Sequence, residues 1–319
     1  MADKIVVIGS LNMDLVGCAP RIPVVGETIV GHKYLSEPGG KGANQAHAAA
    51  KLGGRVAMLG RVGSDDFGRQ MRANLEQVGC DVSGLLTIPG AISGIALIFV
   101  ADTGHNSIII IPGANDRFSP ADVDASQEYL QGAALVLLQL ENPLPTVLAA
   151  ARAGRRAGAR VVLDPAPARE VPEELFQLCD IITPNETEAA ILAGLPPASV
   201  NPEQAVEIAR KLQARKAGTV IVKLGEQGCM LVDAGSQLLP APAVKAVDTT
   251  AAGDVFNAGL AVALSEGLDL EPACKFANAA AALSVTRLGT QIAAPSRAEV
   301  DTFMANNRKV SMRSGRPGG

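Results

Sequence analysis

LVLLQLENPLPTVLAAARAGRRAGARVVLD, residues 135–164, opens on an apolar run (Leu135–Leu140), continues through a segment with helical spacing (Leu144–Ala157) and closes on a β-branched run (Arg160–Asp164). Two apolar strands around a helix make a β-α-β unit, whose crossover requires the strands to be parallel. The same order extends to both sides. Lys4–Gly9 (KIVVIG) and Val56–Gly60 come before it, and Asp180–Thr183 (DIIT) and Thr219–Lys223 (TVIVK) come after it. Helical segments follow several of these runs. One carries Phe67, Met71, Leu75 and Val78 on a single face, with Ser64 or Asp65 as its N-cap; the others are Glu186–Leu192 and, beyond a hairpin, Ala251–Glu266. Strands apolar on both faces imply helices on both sides of the sheet. The expected fold class is therefore α/β, a three-layer α/β/α sandwich with a mainly parallel central sheet.

Two stretches break this rhythm. Residues 15–38 are rich in Gly, Pro and Val without a helical period, and Gly94–Ile111 (GIALIFVADTGHNSIIII) is two strand-like runs around an Asp-Thr-Gly-His turn. Both read as antiparallel additions to the main sheet. Four consecutive isoleucines on an exposed edge invite pairing with another chain. A small lid that doubles as a dimer contact accounts for them, as does a pair of edge strands packed on their own core. The domain reading is residues 1–14, 39–92 and 113–307 as the α/β core, 15–38 and 93–112 as a β lid and dimer contact, and 308–319 as a disordered tail without apolar period.

The 319 residues are 48% hydrophobic and 19% charged, the balance of a soluble globular chain able to bury a sizeable core. No apolar run reaches the roughly 18 to 20 residues that span a bilayer, and MADKIVVIGS enters a strand directly, so the expectation is a cytoplasmic protein without a membrane partner. A net charge of -4 argues against a nucleic-acid partner. With Phe 7, Tyr 2 and Trp 0, there is little to stack on a base or a sugar ring, so hydrogen bonds would have to hold a sugar. The five cysteines (Cys18, Cys80, Cys179, Cys229 and Cys274) form no CxxC pair, as in a reducing compartment. The histidines His32, His47 and His105 lack chelating spacing, which favours a hard cation on oxygen ligands over a zinc site.

VDTTAAGDVFNAG, Val247–Gly259, is the most informative segment for chemistry. Ala251, Ala252 and Gly253 stand at an expected helix start, where several N–H groups can converge on an anion without side chains in the way. Asp254 follows directly. A carboxylate beside an anion hole is electrostatically awkward unless it takes a proton from an attacking hydroxyl. An ordinary N-cap with a first-turn Asp has the same local pattern. No GxxxxGK[ST] loop and no protein-kinase HRD or DFG set occurs in the chain.

Read together, DTTAAGD, GSLNMD at residues 9–14, GGKGANQA at 39–46, PNETE at 184–188 and KLGEQG at 223–228 resemble the signatures of the ribokinase-like sugar kinases, in order and along nearly the whole chain. The resemblance implies the ribokinase-like fold and ATP-dependent transfer of a γ-phosphoryl group to the O5 hydroxyl of D-ribose. Asp254 would be the base, and the amides of Ala251, Ala252 and Gly253 the anion hole. Asn12, Asp14, Gly40, Lys41, Asn44 and Glu141 would bind the sugar. Asn185, Glu188, Lys223, Gly225, Gly228, Gly253 and Asn278 would bind ATP, with Glu188 reaching Mg2+ through water. A monovalent cation, K+, would lie among Asp248, Thr250, Ser284, Arg287, Gly289 and Ala293. At Ala293 the chain departs from the pattern, because family members commonly carry a serine there. Taken alone, several of these residues have plainer readings: a flexible turn at GGKG, a helix cap at Asn185 and Glu188, a hairpin turn at LGEQG, and a salt-bridged residue at Glu141. Two other functions remain open at this point: a non-catalytic sugar or nucleotide sensor, and a sibling kinase for deoxyribose, a nucleoside or a keto-deoxy sugar.

Overall fold

A computed structural model describes residues 3–314. In chain order the strands are β1 (Lys4–Ile8), β2 (Asn12–Ala19), β3 (Lys33–Gly39), β4 (Arg55–Gly63), β5 (Leu85–Ile88), β6 (Gly94–Ala101), β7 (Asn106–Ile111), β8 (Ala133–Leu138), β9 (Arg160–Leu163), β10 (Ile181–Ile182), β11 (Thr219–Lys223), β12 (Cys229–Val232) and β13 (Ser236–Leu239). The helices are α1 (Lys41–Lys51), α2 (Asp66–Gln77), α3 (Pro120–Ala125), α4 (Leu144–Arg156), α5 (Glu173–Leu178), α6 (Glu186–Leu192), α7 (Pro202–Ala214), α8 (Ala252–Ser265), α9 (Leu270–Ser284) and α10 (Arg297–Ser314).

The larger sheet has nine strands in the order β13-β12-β11-β10-β9-β8-β1-β4-β5. All its pairings from β5 to β11 are parallel, and β12 and β13 extend one edge as an antiparallel hairpin. Strand β1 explains the three layers by its alternation. Ile5 and Val7 point into a core shared with α1, α2, α8, α9 and α10, while Val6 and Ile8 point into a second core shared with α3 to α7. All four are at most 3% exposed, and burying each such side chain contributes about 1.5–3 kcal/mol. Asp65 is the N-cap of α2, its carboxylate accepting from the Gly68 N–H at 2.9 Å.

The remaining strands form a separate four-stranded sheet, β3-β2-β6-β7. It is an independent sheet with a parallel central pair, β2 with β6, and antiparallel pairs at its edges, whereas the two segments read as antiparallel additions to the main sheet. The reason is non-local: β2 and β6 come from distant parts of the chain and run in the same direction. Strand β2 begins at Asn12, so Asn12 and Asp14 belong to this small sheet and not to the α/β core in which the sequence reading places residues 1–14. The chain end is also corrected. Helix α10 continues to Ser314 through residues read as a disordered tail, and residues 315–319 of that expectation lie outside the described residues. Among the described residues, no helix is long and apolar enough to cross a membrane.

Candidate active site

Parallel strands end on one edge of the larger sheet, the edge at which open α/β sheets bind ligands. Polar side chains collect there: Ser10 after β1, Gln139 and Glu141 after β8, Asp164 after β9, Asn185 and Glu188 after β10, and Lys223 at the end of β11. Helix α1 starts against this edge. Gly40 has φ +85°, and a Cβ on Gly42 would stand 2.6 Å from the Gly9 carbonyl carbon, so glycine lets the first turn of α1 lie directly on the chain leaving β1. The Lys41 N–H and the Ser10 hydroxyl both donate to Glu141 Oε2, the former at 3.1 Å.

Asp254 is 4% exposed in the first turn of α8. Its Oδ2 accepts from Asn44 Nδ2 and its Oδ1 from Gln45 Nε2, both at 3.0 Å. The preceding Ala251 takes the left-handed conformation, φ 58° and ψ 11°, which costs a non-glycine residue about 1–2 kcal/mol. Ala252 donates its N–H to Thr249 O at 3.3 Å, so that amide closes the turn and is not left for a ligand. Among the described residues nothing accepts from the N–H of Ala251, Gly253 or Asp254. Lys223 Nζ lies 3.2 Å from the point where a Gly253 Cβ would stand, which brings an ammonium to the positive end of the α8 dipole. Such a place suits a phosphate.

Lys223 is paired with Asp164 at 2.9 Å, with side chains 12% and 3% exposed. Gln45 Nε2 also donates to Asp164 at 2.9 Å, so one amide group bridges the carboxylates of Asp254 and Asp164. Burial raises the proton affinity of Asp254; Lys41 opposes this, Asp164 adds to it, and the bonds from Asn44 and Gln45 oppose it, with a net upward shift. For Lys41, burial works against the charge, but Asp254, Asp164, Glu141 and Glu188 together hold its ammonium above the usual lysine range.

Asn12 and Asp14 face this floor from the small sheet. Asn12 Oδ1 accepts from Asn115 Nδ2 at 2.9 Å, and Asn12 Nδ2 has no acceptor among the described residues. The Asp14 carboxyl accepts no hydrogen bond there, and burial, then Glu141, Asp254 and Glu37, push it up to about 7.

Asn185 and Glu188 form a reciprocal capping box at the start of α6: Glu188 N–H donates to Asn185 Oδ1 and Asn185 N–H to Glu188 Oε2, each at 2.8 Å. The plainer reading of that pair is thus realised. Glu188 Oε1 accepts nothing among the described residues, which fits contact with Mg2+ through water. Burial raises the pKa of Glu188 against the opposing charge of Lys223. Gly225 (φ 54°) and Gly228 (φ 99°) shape the turn from β11 into β12, and the hairpin reading of this segment is realised too. Asn278 is buried and donates to Leu239 O at 2.8 Å, so its amide clamps α9 to β13.

Asp248 Oδ1 accepts from the Thr250 N–H at 2.9 Å and the Thr250 hydroxyl at 2.6 Å, and its Oδ2 from the Gly289 N–H at 3.1 Å. This joins the loop before α8 to the loop after α9. Ser284 O is taken by the Arg287 N–H and Ser284 Oγ donates to Ala281 O, while the Arg287 guanidinium pairs with Glu299. The carbonyls of Arg287 and Gly289 accept nothing among the described residues and, with Asp248 Oδ2, fit a monovalent cation. Ala293 is buried and brings no hydroxyl to this loop.

Sequence reasoning missed Asp164, Gln45, Gln139 and Gln291. Asp164 carries a signal in the sequence, a carboxylate ending an apolar strand, as Glu141 does after Leu135–Leu140. Gln139 interrupts the apolar run LVLLQL, whereas Gln45 and Gln291 carried no signal of their own.

Residues 2–297 match the model of the pfkB family carbohydrate kinases. The chain belongs to that family. Among pfkB-family relatives, a ribokinase of Haemophilus influenzae is 41% identical over 305 residues, covering 95% of this chain and 99% of the relative, and a deoxyribokinase of Salmonella typhi is 40% identical with the same coverage. The structure of an Arabidopsis thaliana ribokinase complexed with ribose and ATP superposes with a TM-score of 0.89 at 36% identity, covering 95% of this chain and 99% of that one. The ribokinase-like fold expected from the sequence is the fold of this chain.

Proposed function

We propose that this pfkB-family kinase transfers the γ-phosphoryl group of ATP to the O5 hydroxyl of D-ribose, giving D-ribose 5-phosphate and ADP. The observation that carries the reading is Asp254, a buried carboxylate held on both oxygens beside a helix N-terminus with unpaired amides and the Lys223 ammonium. Asp254 accepts the proton of the attacking hydroxyl, and its raised proton affinity makes it a better base than an exposed carboxylate. The N–H groups of Ala251 and Gly253, with Lys223, stabilise the charge of the transferring group, while Ala252 holds the turn that aims them.

Asn12, Asp14, Gly40, Lys41, Asn44 and Glu141 hydrogen-bond or approach the sugar hydroxyls. ATP lies between Asn185 and Glu188 on one side and Gly225, Gly228 and Asn278 on the other. Mg2+, when bound through water at Glu188, would neutralise phosphate charge. K+, when bound by Asp248, the Thr250 hydroxyl and the carbonyls of Arg287 and Gly289, would brace the loop before α8. Closure of the small sheet over the site excludes water, the competing acceptor. The exposed isoleucines of β7 make the same sheet a homodimer contact. The protein works in the cytoplasm.

A deoxyribokinase at 40% identity makes 2-deoxyribose the competing acceptor. The test is ATP-dependent phosphorylation of D-ribose, 2-deoxyribose, adenosine and 2-keto-3-deoxygluconate side by side, in potassium and then in sodium. Preference for ribose with potassium activation is expected. Preference for another acceptor would move the substrate assignment and keep the kinase, and phosphorylation of none would overturn the reading.

A further inference from the structure

Two runs of side-chain amides converge on the carboxylate of Asp254. In the first, Asn74 on α2 donates to Gln291 Oε1, Gln291 Nε2 donates to Asn44 Oδ1 at 3.0 Å, and Asn44 Nδ2 donates to Asp254 Oδ2 at 3.0 Å. In the second, Gln139 Nε2 donates to Gln45 Oε1 at 2.7 Å, and Gln45 Nε2 donates to Asp254 Oδ1 at 3.0 Å and to Asp164 Oδ2 at 2.9 Å. In both runs the amides face the same way, oxygen away from Asp254 and NH2 toward it.

That common direction needs a cause. A carboxamide has two nearly isosteric orientations, and the wrong one would set an oxygen against the carboxylate. Asn44 is kept from turning because Gln291 donates to its oxygen, and Gln291 in turn is kept from turning by Asn74. Gln139 does the same for Gln45. Gln45 is 0% exposed, so water does not offer it a substitute partner, and Gln291, 4% exposed, stands with Asn74 at the wall of a cavity, where Asn74 is the side chain that holds its oxygen.

We propose that Gln291 and Gln45 are positioning residues for phosphoryl transfer: by fixing the amide groups that hold both oxygens of Asp254, they aim its remaining lone pairs at the acceptor hydroxyl. This rests on the reading of Asp254 as the base. The charged groups facing Asp254 are Lys41 from α1, Asp164 from the end of β9, with Lys223 of β11 paired to it, and Asp14 from β2. Lys41 and the amide donors favour its ionised form, and Asp164 and Asp14 oppose it. Loss of a donor therefore raises its proton affinity and moves the acid limb of kcat to higher pH.

The experiment compares Gln291→Met, Asn74→Ala, Gln45→Met and Asp254→Asn with the parent for kcat, KM for ribose and for ATP, the pH profile of kcat, and melting temperature. Gln291→Met is expected to lose about tenfold in kcat, the worth of one hydrogen bond to a charged group, with KM for ATP unchanged and the acid limb moved upward. Asn74→Ala moves both readouts the same way by less, and Gln45→Met by more, about a hundredfold in kcat, because two carboxylates lose their shared donor. A lower kcat with an unmoved acid limb means a packing role only and overturns the proposal. If Gln291→Met does not fold, Asn74→Ala on the half-buried surface of α2 decides, and parental kcat and pH profile in it overturn the proposal. If Asp254→Asn is inactive while Gln291→Met and Asn74→Ala match the parent, positioning alone falls. If Asp254→Asn turns over like the parent, Asp254 is not the base and the proposal falls with that reading.

Discussion

Ile5, Val6, Val7 and Ile8 of β1 are all buried, whereas every residue of β7, from Asn106 to Ile111, is exposed. Both strands are apolar runs in a sheet, yet one is enclosed between two helical layers and the other leaves Ile108, Ile109, Ile110 and Ile111 between 36% and 55% exposed. Where apolar residues are enclosed, the polar groups at the strand ends can be buried too, and they are fixed by one another: Asp254 by Asn44 and Gln45, Lys223 by Asp164. Where apolar residues stay open, the surface is suited to meet another surface. On the proposed function, the larger sheet holds the chemistry in place, and the small sheet covers the site and associates with a second copy.

The sharpest way to test that division is at its centre. Asp254→Asn keeps the shape of the floor and removes the base, and kcat should fall about a thousandfold or more while ATP binding, followed by calorimetry, is retained. An unchanged kcat would remove the larger sheet's claim to the chemistry. Next in size, Lys223→Met leaves the Asp164 carboxylate buried without its ion partner and should cost about 3–5 kcal/mol in denaturant unfolding. A loss below about 1 kcal/mol, the worth of a surface pair, would mean that water reaches the pair.

Asp14 sits between the two regions. Its folded pKa of about 7 stands above the ordinary 3.8, so the folded state binds the proton more tightly and stability falls as pH rises from about 4 to 7. Asp14→Asn removes that cost. At pH 8 the variant should be more stable by about 2 kcal/mol, half of the ceiling set by a three-unit shift, and the gain should vanish below about pH 4. Equal stability of both proteins at pH 8 would mean that Asp14 is solvated. The smallest effect on turnover belongs to the small sheet: Ile109→Lys should leave kcat unchanged and shift sedimentation from dimer toward monomer. An unshifted sedimentation pattern would place any self-association elsewhere.

The larger sheet was legible because parallel strands buried on both faces leave short β-branched runs, and α6 was read to the residue as Glu186–Leu192. Helix α1 was not legible. GGKG reads alone as a flexible turn, whereas the helix starts at Lys41, and the close approach of Gly42 to Gly9 that sets its first turn on the chain leaving β1 is a pairing across the fold that no local pattern records. The independence of the small sheet was hidden for a similar reason, since β2 pairs in parallel with β6 across intervening elements of the other sheet. In the site, the carboxylates and glycines of the motifs were legible. The glutamines were not, because a carboxamide acts here only through which of its two ends faces a neighbour.

Helix α1 brings Asn44 and Gln45, adjacent in sequence, to the two oxygens of one carboxylate. Each residue turns the helix by about 100°, so inserting or deleting one position between Gly40 and Asn44 would swing both amides away from Asp254. The segment is therefore as constrained in length as Gly40 and Gly42 make it in composition, and a library of single-residue insertions and deletions across the chain should find its least forgiving stretch here.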